Sequence, residues 1–149
     1  MNEDDIDPLE SQLQEAFAES HKTQPAPPEF RQRLQKTRAL LTANPPPDCD
    51  SAQVLVVPRD VPPYWVELSA TTIVGRADDA DLKLEHPWVS DRHCAFEKFG
   101  DDWQIKDLES TNGVIVNGRE LASHTLWQGD AVEIGSYLLI FVEAHRTVE

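Results

Sequence analysis

From Ala52 onward the chain is cut into pieces too short for ordinary helices. Nine apolar or alternating runs follow one another: VLVV (54–57), YWVEL (64–68), TIVG (72–75), DLKL (81–84), CAFEKF (94–99), WQIKDL (103–108), VIV (114–116), VEI (132–134) and YLLIFVE (137–143). Between them stand the turn formers Pro62-Pro63, Gly100-Asp101, Asn112-Gly113, Asn117-Gly118, Gly129-Asp130 and Gly135. Alternating polarity puts successive side chains on opposite faces of a strand, and the close spacing leaves no room for crossover helices. The pattern predicts an all-β fold, an antiparallel sandwich or barrel. The two Asn-Gly pairs supply positive φ at little cost and mark tight turns.

The first 50 residues have a different texture. Seven of the eleven prolines lie in residues 1–47. Ile6, Leu9, Leu13 and Phe17 recur at helical spacing, behind an Asp7-Pro8 start signal. Prolines between Thr23 and Pro28 break that helix. Phe30, Leu34, Thr37 and Leu41 then repeat the period, and Pro45-Pro46-Pro47 reads as a stiff extended linker. We therefore divide the chain into an N-terminal extension, residues 1–50, with two short amphipathic helices, and a β domain, residues 51–149. Residues 1–19 hold seven acids and no Lys or Arg, whereas residues 20–44 hold five Lys/Arg and one acid. Blocks of opposite charge invite pairing with each other or with a partner.

A formal charge of −14 disfavours binding to bare nucleic acid, which depends on Lys and Arg neutralising phosphates. It does not bar a single phosphate from a local pocket, where a few groups act at contact range. No run approaches the roughly 18 apolar residues of a spanning helix, so no membrane role is expected. The acidic start MNEDDID is unlike a secretory signal, and Cys49 and Cys94 make no disulfide framework. A cytoplasmic protein is expected.

Four pieces of the β-rich region carry chemistry: Gly75-Arg76 at the end of a β-branched run; Ser90-Asp91-Arg92-His93 before a strand; the run Asp107 to Gly113 (DLESTNG); and Asn117-Gly118, followed by Gly129-Asp130 and Ile134-Gly135. In this order, with VSDRH reaching Ser90 14 residues after Arg76, and with DLESTNGVIVNG, GDAVEIG and LLIFVE following, the chain closely resembles the forkhead-associated (FHA) domain. The resemblance covers Val54 to Glu143. It implies a twisted antiparallel β-sandwich of about eleven strands, with loops at one end forming a pocket for phosphothreonine peptides.

The residue types suit that role. A phosphate monoester carries about −1.5 to −2 charges and three acceptor oxygens. It calls for donors, at least one of them permanently cationic, as the Arg76 guanidinium is. By the resemblance, Arg76, Ser90 and Thr111 bind phosphate. Asn112, with both an amide donor and an acceptor, grips the peptide main chain, and Asp91 and Arg92 also face peptide. Trp88 lies beside this pocket. By the same resemblance His93 braces the binding loops; Gly75 permits a close backbone approach, Gly113 and Gly118 serve turns, and Asn117 is a structural support. The sequence departs from the family at Asp91, where a basic or amide side chain is frequent; an acid beside a phosphate is unfavourable unless it points away.

Other chemistries fit less well. Ser90 and His93 share a loop but sit in no nucleophile-elbow pattern, so no catalytic residues and no enzyme are expected. His86, His93 and Cys94 have no metal-ligand spacing, and Asp78, Asp79 and Asp81 lack the glycine and distal glutamate of a calcium loop. Neither a metal nor another cofactor is expected. Trp65, Trp103 and Trp127 read as core or covering residues. The expectation is a phosphothreonine-binding adaptor whose partner is phosphorylated by an upstream Ser/Thr kinase. The alternative is a phosphorylation-independent scaffold that docks its N-terminal helices on a partner. A third possibility is autoinhibition through a phosphorylated tail threonine, for which Thr23, Thr37 and Thr42 are available.

Overall fold

The structure, a computed structural model, describes residues 28–144. The helix expected over Ile6–Phe17 and the acceptor Thr23 lie outside them. Eleven strands form two sheets: β1 (Gln53–Val57), β2 (Tyr64–Glu67), β3 (Thr71–Gly75), β4 (Leu82–Lys83), β5 (Cys94–Phe99), β6 (Asp102–Asp107), β7 (Ile115–Val116), β8 (Arg119–Glu120), β9 (Ser123–Thr125), β10 (Ala131–Ile134) and β11 (Tyr137–Val142). The first sheet runs β2-β1-β11-β10-β7-β8 and the second β4-β3-β5-β6-β9. This is the expected all-β sandwich, with one departure from antiparallel order. β4 pairs parallel to β3, Val74 opposite Leu82. The loop before β4 is folded back on the β3 edge, where the Asp81 carboxylate takes the Ile73 amide hydrogen at 2.8 Å.

The alternating runs explain the core. Val54 and Val56, Val74, Phe96, Ile105, Val116, Val132 and Ile134, and Leu139 and Phe141 interleave between the sheets, almost wholly shut off from water. Burying each such side chain contributes about 1.5–3 kcal/mol. Trp103 packs on Phe141 with ring centroids 6.4 Å apart. Trp127 does not join them. Expected as core or cover, it is 54% exposed, in the turn that reverses the chain before β10. The Cys94 thiol is buried in the core, and that burial pushes its pKa far up, consistent with an inert packing role. Asn117-Gly118 makes the tight β7–β8 turn, with φ of 51° and 87°.

Alternation also gives the first sheet an apolar outer face. Leu55 and Ile140, directly opposite one another across β1 and β11, are fully buried although they point away from the inter-sheet core. Helix α1 (Pro28–Ala43), predicted from the Phe30–Leu41 periodicity, begins on a proline, which suits a first helical turn. It reaches the first sheet through the Arg33 guanidinium, which packs against Gly118 in the β7–β8 turn. The linker after it is tied down where Gln53 Nε2 donates to the Pro47 carbonyl at 2.8 Å. Between these anchors Leu34 and Thr37 are buried. An isolated helix of this length is marginal in water; its stability comes from that buried face.

A buried carboxylate fastens the far end of the sandwich. Asp130, 3% exposed, accepts from Asn117 Nδ2 at 2.9 Å, His124 Nε2 at 3.0 Å and the Trp127 amide at 2.9 Å. Asn117 Oδ1 in turn accepts the Ala131 amide hydrogen at 3.0 Å. Asn117 thus joins the β7–β8 turn to β10. No helix among the described residues is long and apolar enough to cross a membrane.

Candidate functional site

Three loops meet at the other end of the sandwich: 76–81 after β3, 84–93 before β5, and 108–114 after β6. The first two are zipped together by main chain. His93 N donates to Val74 O at 2.8 Å, Arg76 N to Ser90 O at 3.0 Å, and Ala77 N to Asp91 O at 3.2 Å. Gly75 makes that approach possible. A Cβ on residue 75 would overlap the Asp91 carbonyl. Arg76 is thereby fixed beside Ser90, its side chain 47% exposed and its Nε 3.7 Å from Asp91 Oδ1. Arg92 leans away, toward Asp79 Oδ2 at 3.7 Å.

Two contacts near the surface join the third loop to the second. Ser90 Oγ accepts the Thr111 amide hydrogen at 3.1 Å, and Asn112 Nδ2 donates to the Trp88 carbonyl at 2.9 Å. Within the loop, Ser110 N donates to Asp107 Oδ1 at 3.1 Å, and Gly113 N to Ser110 Oγ at 2.9 Å. Glu109 takes a left-handed φ of 59° and Gly113 one of 81°. Only a loop held at several points keeps a non-glycine residue there. It leaves Thr111 and Asn112 facing solvent.

His93 braces the second and third loops from beneath and is fully buried. Its Nδ1 accepts the Ser90 amide hydrogen at 3.1 Å, so the ring proton sits on Nε2, which donates to the Gly113 carbonyl at 2.8 Å. Both nitrogens are spent on backbone, and neither serves the Ser90 hydroxyl as a base. Among the described residues no group of His, Cys, Asp and Glu is arranged to hold a metal ion.

Arg76, Ser90, Thr111 and Asn112 are therefore brought to one surface. Asp91 and Arg92 lie on it, each in a weak ion pair. Gly75 and His93 lie beneath it, and Gly113 closes its third loop. Gly118 belongs to the β7–β8 turn against α1. Chemically the surface offers a guanidinium, hydroxyls and an amide on loops tied together by hydrogen bonds. That set suits a tetrahedral oxyanion joined to an extended chain.

Beside Asn112, a cleft of about 190 Å³ is lined by Trp88, Gly113, Ile115, Glu133 and Gly135. Its glycines stand in turn motifs, but Ile115 and Glu133 are brought together by the pairing of β7 with β10 and by no local motif.

Comparison with known proteins agrees with this geometry. Residues 72–135 match the family model of the FHA domain. The chain is 37% identical over 76 residues to an oxoglutarate dehydrogenase inhibitor from Corynebacterium jeikeium, covering 51% of this chain and 53% of that protein. It is 40% identical over 77 residues to the glycogen accumulation regulator GarA from Mycolicibacterium smegmatis, covering 52% and 49%. The match thus spans about half the length of these curated relatives. A structure solved in an analysis of phosphothreonine-dependent FHA domain interactions superposes with a TM-score of 0.57 at 28% identity, over 65% of this chain and 99% of that one.

Proposed function

We propose, from the forkhead-associated domain model that residues 72–135 match, that the protein binds phosphothreonine peptides as a non-enzymatic adaptor. It acts downstream of a Ser/Thr kinase, in the cytoplasm. The observation that carries this function is the Ser90–Thr111 junction beside Arg76. It unites a permanent cation, two hydroxyls and exposed loop backbone on loops that His93 braces. Phosphate contacts fall to Arg76, Ser90 and Thr111, and Asn112 holds the peptide main chain. Relatives named as an inhibitor and a regulator support a binding role rather than a catalytic one.

The test is calorimetric titration of the full chain with a degenerate phosphothreonine peptide pool and its unphosphorylated twin. Heat from the phosphorylated pool alone is the expected result. Equal binding of the two pools, or none, would refute it.

Asp91 sets the affinity. Before ligand arrives its carboxylate stands 3.7 Å from the Arg76 guanidinium. Both side chains are largely in water, so the pair is worth at most about 1 kcal/mol. A phosphate, with nearly twice the charge, displaces it but meets the acid's repulsion. Asp91→Asn is therefore expected to tighten phosphopeptide binding by about three- to tenfold, the equivalent of ~1 kcal/mol, in the same titration. The gain shrinks as salt screens the acid.

The scaffold alternative loses support from the way α1 is used. Its Leu34 and Thr37 face is buried within this chain rather than presented to a partner. Burial likewise closes Thr37 to a kinase, while Thr42 stays exposed with its hydroxyl donating to Arg38 O at 2.8 Å.

A further inference from the structure

The cleft beside Asn112 has a chemistry of its own. Its floor is Ile115, which lies opposite Glu133 on β10 and opposite Glu120 on β8. The Glu120 side chain folds toward Gly113, its Cγ 3.4 Å from where a Cβ on that residue would stand. One wall is Trp88, an indole 58% exposed. Both glutamates are exposed, and neither enters an ion pair among the described residues. The cations near the phosphate site differ: Arg76 and Arg92 each already face an aspartate. The cleft is thus an apolar slot with two uncompensated carboxylates at its rim, one residue along the loop from Thr111.

We propose that this cleft selects a basic side chain, arginine above lysine, in the bound phosphopeptide. The proposal rests on the phosphothreonine-reader function and extends it to sequence preference. An extended peptide advances about 3.3 Å per residue. A chain anchored by phosphate at Arg76 and held by Asn112 therefore passes the cleft a few residues later. An arginine there lays its stem on Ile115, stacks its planar guanidinium on the Trp88 indole, and turns its donors to Glu120 and Glu133. Lysine offers the charge without the planar face. An acidic residue meets two like charges.

The charge of the whole chain acts in the same direction. At −14 it repels a phosphopeptide at long range. A basic residue on the peptide offsets that repulsion in the encounter as well as in the complex.

The test is fluorescence anisotropy with the full chain. The probe is a labelled phosphothreonine peptide with alanine flanks, carrying a single Arg, Lys, Leu or Glu at each of four positions on either side. At one position, Arg is expected to bind about tenfold tighter than Glu and tighter than Leu. In the E120Q/E133Q double variant, the Arg-to-Glu ratio at that position should fall below about threefold. Trp88→Ala should lower the Arg advantage over lysine in particular. Thermal melting confirms that the exposed substitutions leave the fold intact. Phosphate-dependent binding with no position favouring Arg over Glu would overturn the proposal. So would a preference for Leu, or a ratio that the double variant does not move. If no peptide binds in a phosphate-dependent way, the reader function itself fails, and this specificity falls with it.

Discussion

Arg76→Ala is expected to weaken phosphothreonine-peptide binding by at least thirtyfold without unfolding the protein. A hydrogen bond to a charged group contributes about 1.5–3 kcal/mol, and a guanidinium on a phosphate makes one or two of them. Losing ~2–4 kcal/mol corresponds to roughly thirty- to a thousandfold in Kd. The loss reaches past the missing contact, because Asp91 stays behind: the alanine variant presents the phosphate with an acid and no cation beside it. Stability should hardly change. The Arg76 side chain is half exposed, and its ion pair with Asp91 is long and solvated, so removal falls within the usual ±0.5 kcal/mol of surface substitutions. Arg76→Lys restores charge but not the planar fork, and should recover only part of the affinity. Titration calorimetry gives the affinities, and circular dichroism melting separates lost binding from lost fold. Full binding by the alanine variant would remove the phosphate role of this residue.

The parts of this molecule written in local chemistry were legible in the sequence, and those made by distant pairing were not. Asn117-Gly118 announces a tight turn because two successive left-handed residues are cheap only for such a pair, and the turn is there. The alternating runs announce strands because alternation is a property of single strands. The helical period over Phe30–Leu41 correctly announces α1, and its buried positions Leu34 and Thr37 are among those picked by spacing. What the helix leans toward was not visible. The outer-face burial of Leu55 and Ile140 depends on which side of β1 and β11 faces the second sheet, and a run such as VLVV is apolar on both faces. Trp127 differs from expectation for a related reason: an indole in a strand-flanking position reads as core or cover, but the chain reverses there around Asp130 and the ring is exposed. At the candidate site, Arg76, Ser90 and Asn112 stand in recognisable strings. Glu120 and Glu133 do not; they meet across Ile115 only through the register of β8, β7 and β10.

Gly75→Ala tests whether the site depends on the zipped loops rather than on its exposed side chains alone. Gly75 does not adopt a left-handed φ, so backbone freedom is not what requires glycine there. Space is. The added methyl would occupy the position of the Asp91 carbonyl, with the Asp91 carbonyl carbon 2.7 Å and Arg92 Cα 3.1 Å away. These are main-chain atoms and cannot swing aside as a side-chain end can. The loop holding Ser90 must move off β3, breaking the hydrogen bonds from Arg76 N to Ser90 O and from Ala77 N to Asp91 O. Overpacking of this kind costs typically about 1–3 kcal/mol, which for a domain of this size lowers Tm by roughly 5–15 °C. Binding should fall more than stability predicts. Displacing Ser90 separates its hydroxyl from the Thr111 amide and from Arg76 together, and shifts of about 1 Å in a hydrogen-bonding constellation are costly. We expect the variant to remain folded at 15 °C and to lose phosphopeptide affinity by more than tenfold. Gly100→Ala is the matched control. That glycine lies in the β5–β6 turn with φ +63° and open space around it, so alanine there should cost about 1 kcal/mol of backbone strain and leave peptide affinity as in the wild type. If both variants lost stability but kept affinity, the rigid approach of β3 to the Ser90 loop would have no part in binding. If only Gly75→Ala lost affinity, then the glycine at the end of β3, which touches no ligand, would be a positioning residue for the phosphate site.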